Sequence, residues 1–447
     1  MLAFESLESI INKIKNKELS SKEVFDYFQK RIEKYDNKIE AFNYVNKNFV
    51  EKNGTVLEIP VVKDLYCENV LTTASSIMLQ NFIPPYDATI IKKLNEAGMN
   101  SIKLNLDEFA MTSENSAIRV TKNPWALDRI PSSSSAASVA ALCPVALTDT
   151  SLRQPSFMCV VFRPGYRNSR YIIPMASSLD CPTITRTVKD ASIMYELMNY
   201  DDLDNVTIEN HKIDPKIWER KDLKGKKIVP KEYFEELDKN VRETINKAIK
   251  DLEDMAEIVN ISLPVTKYAI AAYYIIVPAE VSTNLARLDI RYGHISDLSH
   301  DNLEEFYVNN RELLESKRRS ILSYVLSAFY DAYFTKASQV RTLIIRDFEE
   351  AFNKVDVIAC PASPSVAWKI EKIDDPLKMY IADSYTIPAS LALPICIPCF
   401  AESEDEEKKS LPVLQLIPSF EEKIFEIANV FEKQTKWYEK MIPAFED

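Results

Sequence analysis

The sequence predicts an α/β layered fold, and three observations carry that reading. Short apolar runs of strand length alternate with segments whose apolar residues recur at helical spacing, the pattern of helices packed on a sheet. The chain has 447 residues, 46% of them hydrophobic, enough to bury one large core or two moderate ones. No internal repeat or low-complexity boundary divides it, so residues 1–447 are expected to form a single domain.

The elements follow in order. Residues 4–16 and 20–35 carry apolar positions at helical spacing, and Ser20-Ser-Lys-Glu23 has the form of a capping box, which together predict an N-terminal helical pair within residues 1–55. Val56 to Val62 is an apolar run suited to a buried strand with Lys63 at its end. Ala88 to Gly98 predicts a helix stopped by glycine, and Met99 to Leu104 the next strand. Ala136 to Val145 is small and apolar, as a helix inside a core would be. Residues 201–260 are charge-rich and predict an exposed linker and helical insertion, with the helix over Tyr233 to Ile258. Ala269 to Tyr292 and Arg311 to Phe348 predict long helices, and Val355 to Pro361 a strand. Leu393 to Phe400 has the character of a buried strand. The charge run Glu402 to Lys409 suits a solvated hairpin tip.

A net charge of −12 argues against a surface that grips nucleic-acid phosphates directly, because such surfaces are basic. The N-terminus lacks a basic segment followed by an apolar run, so no secretory signal is expected. No uncharged apolar stretch of about 18 residues occurs, so no membrane span is expected either. The seven cysteines include one close pair, Cys396 and Cys399, with C-x-x-C spacing. The chain's three histidines lie far from that pair in sequence, and the expectation is buried thiols in a reducing compartment.

The candidate chemistry lies in Ser132-Ser-Ser-Ser-Ala-Ala-Ser138, Thr148-Asp-Thr-Ser-Leu-Arg-Gln-Pro-Ser156 and Pro60-Val-Val-Lys-Asp64. A serine becomes a nucleophile at neutral pH only if something takes its proton. A lysine does this when burial or neighbouring charge makes its neutral form accessible. Taken singly, Ser132 to Ser135 fit a turn, Ser151 a helix cap and Lys63 a surface charge. Taken together, with Asp149, Arg153, Gln154 and Pro155 in register, they resemble the amidase-signature family. That resemblance implies a mixed central sheet covered by helices on both faces. It also implies Ser151 as nucleophile, Ser132 as relay serine and Lys63 as base, with Thr150 and Ser151 at the oxyanion site.

The departure from the family pattern lies in glycine. An average protein of this length carries roughly 30 glycines, and this chain has 5. The family pattern has glycine before Ser132, after Ser134, after Ala141, before Thr148 and twice before Ser151, and this chain has none at those joints. The family's relay serine follows glycine across a cis peptide, whereas Pro131 precedes Ser132 here. The family's oxyanion donors are backbone N–H groups of the glycine-rich turn, and loss of one such donor costs about 2.7–4 kcal/mol of transition-state stabilisation.

Further motifs narrow the resemblance. Leu106-Asp-Glu-Phe-Ala-Met111, Glu114-Asn-Ser116, Thr121-Lys-Asn-Pro-Trp125, Ala176-Ser-Ser-Leu-Asp180 and Tyr330-Asp-Ala-Tyr333 resemble the A subunits of tRNA-dependent glutamyl/aspartyl amidotransferases over nearly the whole chain. The resemblance implies glutamine hydrolysis to glutamate and ammonia, with glutamine held by Tyr273, Arg319 and Asp383. Opposite charges placed apart suit a free amino acid, Arg319 for its carboxylate and Asp383 for its ammonium. It further implies a B subunit that binds ATP, Mg and the tRNA, a small C subunit, no cofactor or metal in this chain, and a bacterial cytoplasmic or organellar-matrix location. Two other readings stay open: a stand-alone amidase of another small amide, and a non-catalytic scaffold subunit that has lost its oxyanion loop.

Overall fold

The computed structural model describes residues 2–45, 47, 60–62, 67–105, 119–131, 142–147, 160–162, 183–198, 213–228, 237–285, 302–303, 305, 332–370, 384–392, 397–400, 413–419 and 421–436. The N-terminal pair forms as expected, as α1 (Leu7–Lys15) and α2 (Ser21–Ile39). The Ser20 hydroxyl accepts the Glu23 N–H while the Glu23 carboxylate accepts the Ser20 N–H, closing the capping box. Phe25, Phe28, Ile32, Tyr35 and Ile39 line the buried stripe of α2. Arg31 is buried there with its guanidinium 5.1 Å from the Tyr35 ring centroid and 5.5 Å from that of Phe4.

The described strands pair in two sheets. One has the order β1-β3-β2-β4-β6-β5, comprising β1 (Phe42–Tyr44), β2 (Pro60–Val62), β3 (Asn100–Leu104), β4 (Val145–Leu147), β5 (Val160–Phe162) and β6 (Thr183–Thr185). The other has the order β10-β11-β9-β7-β8, comprising β7 (Lys227–Ile228), β8 (Glu257–Ile258), β9 (Val357–Pro361), β10 (Ile397–Phe400) and β11 (Val413–Pro418). Edge strands β5 and β10 lie side by side, so the two sheets meet at that seam. Both sheets are mixed: β2 runs parallel to β3 and β4, β7 parallel to β8 and β9, and the remaining pairs are antiparallel.

Every residue of β9 is buried, which requires cover on both faces of the sheet. Helix α4 (Val188–Met198) packs on β5 and β6, α5 (Lys239–Glu253) on β8, β9 and β11, and α9 (Glu421–Thr435) on β10 and β11. Helices α6 (Ala269–Leu285), α7 (Phe334–Phe352) and α8 (Ile387–Ala392) pack on one another. Helix α3 (Thr89–Glu96) crosses from β2 to β3, and Gly98, at φ 90°, turns the chain out of it.

Four expectations need correction. Val145 begins a strand, not the end of a helix, and the 136–141 portion of that segment is outside the described residues. The helix expected over Tyr233 to Ile258 is shorter, because Glu257 and Ile258 pair with Lys227 and Ile228. The charged 201–260 segment therefore supplies two sheet strands besides its helix. Residues 332 and 333 form a turn, so the described part of the helix expected from Arg311 starts at Phe334.

Candidate active site

Strand β2 lies between β3 and β4, with Val62 opposite Ile102 on one side and Val61 opposite Val145 on the other. All three strands point the same way. The chain leaves β2, crosses through α3 to β3, and then enters β4 on the opposite side of β2. That arrangement is a topological switch point, and in α/β sheets the crevice at the carboxyl ends of such strands is where ligands bind. Lys63 follows Val62 directly, and Thr148 to Ser151 follow Leu147 at the end of β4. The strands that lead into the expected base and the expected nucleophile are thus hydrogen-bonded neighbours ending at the same edge.

The carboxyl end of β3 is held by a buried polar network. Asn105 is 0% exposed. Its Oδ1 accepts the Ser75 hydroxyl at 3.0 Å, and its Nδ2 donates to Arg119 O and Thr121 Oγ1, each at 2.8 Å. Thr121 in turn donates to Glu40 O at 2.8 Å. A buried network with these groups satisfied stiffens the strand end beside Val62.

The chain that leads to Ser132 is anchored elsewhere. Ile130 N–H donates to Trp368 O at 2.9 Å, Ile370 N–H to Asp128 O at 2.8 Å, and the Arg129 guanidinium to Ala367 O. Pro131, the last residue described before the serine run, is buried. These bonds tie residues 128–130 to the segment that follows β9.

Of the residues expected to act on substrate, Tyr273 is among those described. It lies on the buried stripe of α6 with Ala269, Ala272, Ile276 and Val277, is 2% exposed, and meets the Tyr274 ring edge-on at 5.4 Å. Lys63, Ser132, Thr150, Ser151, Arg319 and Asp383 lie outside the described residues. The peptide joints 131–132, 134–135, 141–142, 147–148 and 150–151, at which chain continuity bears on the missing glycines, each include at least one residue outside them. Asp383 directly precedes the segment that leads into α8, and α8 packs on both α6 and α7. Gln415 of β11 is one contributor that sequence reading passed over. It is 1% exposed and its Nε2 donates to Tyr385 O at 3.1 Å, pinning the chain two residues past Asp383. The only signal for it in the sequence was one amide within the apolar run Val413-Leu-Gln-Leu-Ile-Pro418.

The cysteines that are described bear out inert thiols in part. Cys67, Cys143 and Cys360 are free and buried. Burial pushes the Cys360 thiol up to about 12 and raises that of Cys143 far above the ordinary range. Thiolate is the reactive form, so neither competes as nucleophile. The side chains of Cys396 and Cys399 are outside the described set. Among the described residues no three His, Cys, Asp or Glu side chains gather as a metal site, and no helix is long and apolar enough to cross a membrane.

A family model described as Amidase matches residues 23–413. The chain is 43% identical to the A subunit of the glutamyl-tRNA(Gln) amidotransferase of Thermoanaerobacter pseudethanolicus over 472 positions, covering 96% of each chain. It is 43% identical to the protein of the same name from Persephonella marina over 478 positions, again covering 96% of each. Both alignments are longer than the 447 residues of this chain. The relatives therefore carry residues at positions where this chain has none. The crystal structure of the glutamyl-tRNA(Gln) amidotransferase A subunit from Thermotoga maritima superposes with a TM-score of 0.80 at 32% identity, covering 97% of this chain and 95% of that one. A 6-aminohexanoate cyclic dimer hydrolase superposes with a TM-score of 0.84 at 14% identity, a likeness of fold alone.

Proposed function

The chain belongs to the amidase family, and from that premise we propose that it is the glutamine-hydrolysing A subunit of a tRNA-dependent amidotransferase. The observation that carries the chemistry is the parallel pairing of β2 with β4, Val61 opposite Val145. It supports a reaction centre at the shared carboxyl edge into which Lys63 and Ser151 lead. In this reading Lys63 draws a proton through Ser132 from Ser151, whose Oγ attacks the glutamine side-chain amide. Backbone N–H groups at Thr150 and Ser151 stabilise the oxyanion, the proton held at Lys63 passes back through Ser132 to the nitrogen so that ammonia leaves, and a water that yields its proton to Lys63 releases glutamate from the acyl-enzyme while Ser151 is reprotonated.

Tyr273, Arg319 and Asp383 hold the amino-acid end of glutamine, a cation for its carboxylate and an anion for its ammonium. The mutual packing of α6, α7 and α8 supports this grouping, because Tyr273 lies on α6, Arg319 precedes α7 and Asp383 precedes α8. Ammonia passes to a B subunit that binds ATP, Mg and the misacylated tRNA, with a small C subunit bracing the pair. The net charge of −12 suits this delegation of tRNA binding. The same reading makes residues 1–447 one domain and places the protein in a bacterial cytoplasm or an organellar matrix.

Incubation with an electrophilic glutamine analogue followed by peptide mass spectrometry tests the assignment. The adduct is expected on Ser151. An adduct on Cys143 or Cys159 would overturn the Ser-Ser-Lys mechanism. Faster hydrolysis of a neutral amide than of glutamine would favour a stand-alone amidase.

A further inference from the structure

We propose that Lys103 is a positioning residue of the reaction centre, a cation beside Lys63 that keeps this base ready to take a proton. The inference rests on the reading of Lys63 as base and supplies what makes it one. Lys103 lies in β3, the strand between β1 and β2, and is 1% exposed. Among the described residues it is the one lysine that is buried. Lysine is almost never fully buried unless something engages its charge, because taking an ammonium out of water is costly.

The register says where that charge lies. Strands β2 and β3 run parallel, with Pro60 opposite Asn100, Val61 opposite Ser101 and Val62 opposite Ile102. Lys63 follows Val62 and Lys103 follows Ile102, so the next rung of the ladder would join one lysine to the other. Partners across a parallel ladder present their side chains to the same face, on strands about 4.8 Å apart. A lysine serves as a base when burial or a second cation disfavours its charged form. Among the described residues, the groups around this part of β3 are neutral or already paired. Asn43, Ser75, Asn105 and Thr121 form the neutral network at the strand end, and Tyr44 is the partner of Lys103 on β1. The carboxylates where α2 leads into β1, Asp36 and Glu40, meet Arg119 at 3.9 Å and Lys122 at 2.9 Å. At an effective dielectric of about 20, two unit charges roughly 6 Å apart displace a titration by about two pH units.

The test compares two variants of the full chain: Lys103→Met, which keeps the length and removes the charge, and Lys103→Arg, which keeps the charge. Trace acetylation across a pH series, read at Lys63 by peptide mass spectrometry, gives the titration midpoint of that amine without any substrate. In the parent the midpoint should lie well below the value of about 10.4 for a free lysine. It should rise by about two pH units in Lys103→Met and stay near the parent's in Lys103→Arg. The acid limb of kcat/KM for glutamine should move with it, so that below the parent's midpoint Lys103→Met loses roughly 100-fold while Lys103→Arg keeps most of the activity. A parent midpoint near the free-lysine value, or one that Lys103→Met leaves in place, overturns the proposal and makes Lys103 a core residue. The parent's midpoint decides even where Lys103→Met fails to fold. A lowered midpoint in a chain that does not hydrolyse glutamine would sink the functional reading and leave this one standing, and an ordinary midpoint in a chain that does hydrolyse it would do the reverse.

Discussion

Asp190→Asn tests how the N-terminal helix is held to the core, and the expected outcome depends on pH. Asp190 lies in the first turn of α4 and is 0% exposed. Its two carboxylate oxygens accept the N–H groups of Leu7 at 2.9 Å and Glu8 at 3.0 Å, the first residues of α1. Burial outweighs these two bonds and raises the carboxyl to about 6 from its ordinary 3.8. Asparagine keeps one acceptor and turns an NH₂ toward the other N–H, so one buried donor is orphaned at about 1–3 kcal/mol. An opposing effect comes from ionisation. A carboxyl whose folded-state value is raised contributes stability that is fully present below its unfolded value and lost as pH rises through the folded one. For Asp190 that loss spans pH about 4 to 6 and amounts to roughly 3 kcal/mol, and asparagine does not suffer it. The variant should therefore be less stable than the parent by about 1–3 kcal/mol below about pH 4, and the deficit should shrink from there and close or reverse by pH 8. Urea melts at several pH values, with hydrogen exchange of the α1 amides, measure both the global and the local effect. A deficit that stays constant from pH 4.5 to 8 would refute the argument that burial, and not the two hydrogen bonds, controls this carboxyl.

Other outcomes follow from the same structure. The Glu432 carboxylate accepts the Val188 N–H at 2.9 Å, and burial, with the nearby Asp190 charge, pushes it up to about 8. Glu432→Gln should leave stability nearly unchanged below about pH 5 and remove a decline that the parent shows as pH rises from there through 8; identical pH profiles would contradict this. Ser20→Ala opens the capping box of α2 and should cost about 1 kcal/mol, read as a shift in urea midpoint. Gln415→Met leaves Tyr385 O without its buried donor, at about 1–3 kcal/mol. Because that donor pins the chain beside Asp383, the KM for glutamine should rise more than kcat falls, and an unchanged KM would separate Gln415 from the substrate pocket. Arg319→Ala should raise KM steeply, since a hydrogen bond to a charged group contributes about 1.5–3 kcal/mol, and steady-state glutaminase kinetics check it.

Local chemistry made much of the fold legible in the sequence. Ser20 and Glu23 at capping-box spacing, Gly98 after an amphipathic turn, and apolar residues at helical spacing in α1 and α2 specify conformation within a few neighbouring residues, so no tertiary knowledge is needed to read them. The order of residues around Ser132 and Ser151, and the identity of Lys63, likewise name a chemistry that needs those residue types. Strands such as β7 and β8 were not legible. Lys227-Ile228 and Glu257-Ile258 are too short and too charged to show a period, and they are strands because β9 supplies the backbone partners that β7 lacks locally. Only the tertiary structure decided that β2 lies between β3 and β4, and hence that the segments leading to Lys63 and to Ser151 end at one edge. Parallel pairing is settled by long-range hydrogen bonds and the crossover between them, quantities that no local run of residues encodes.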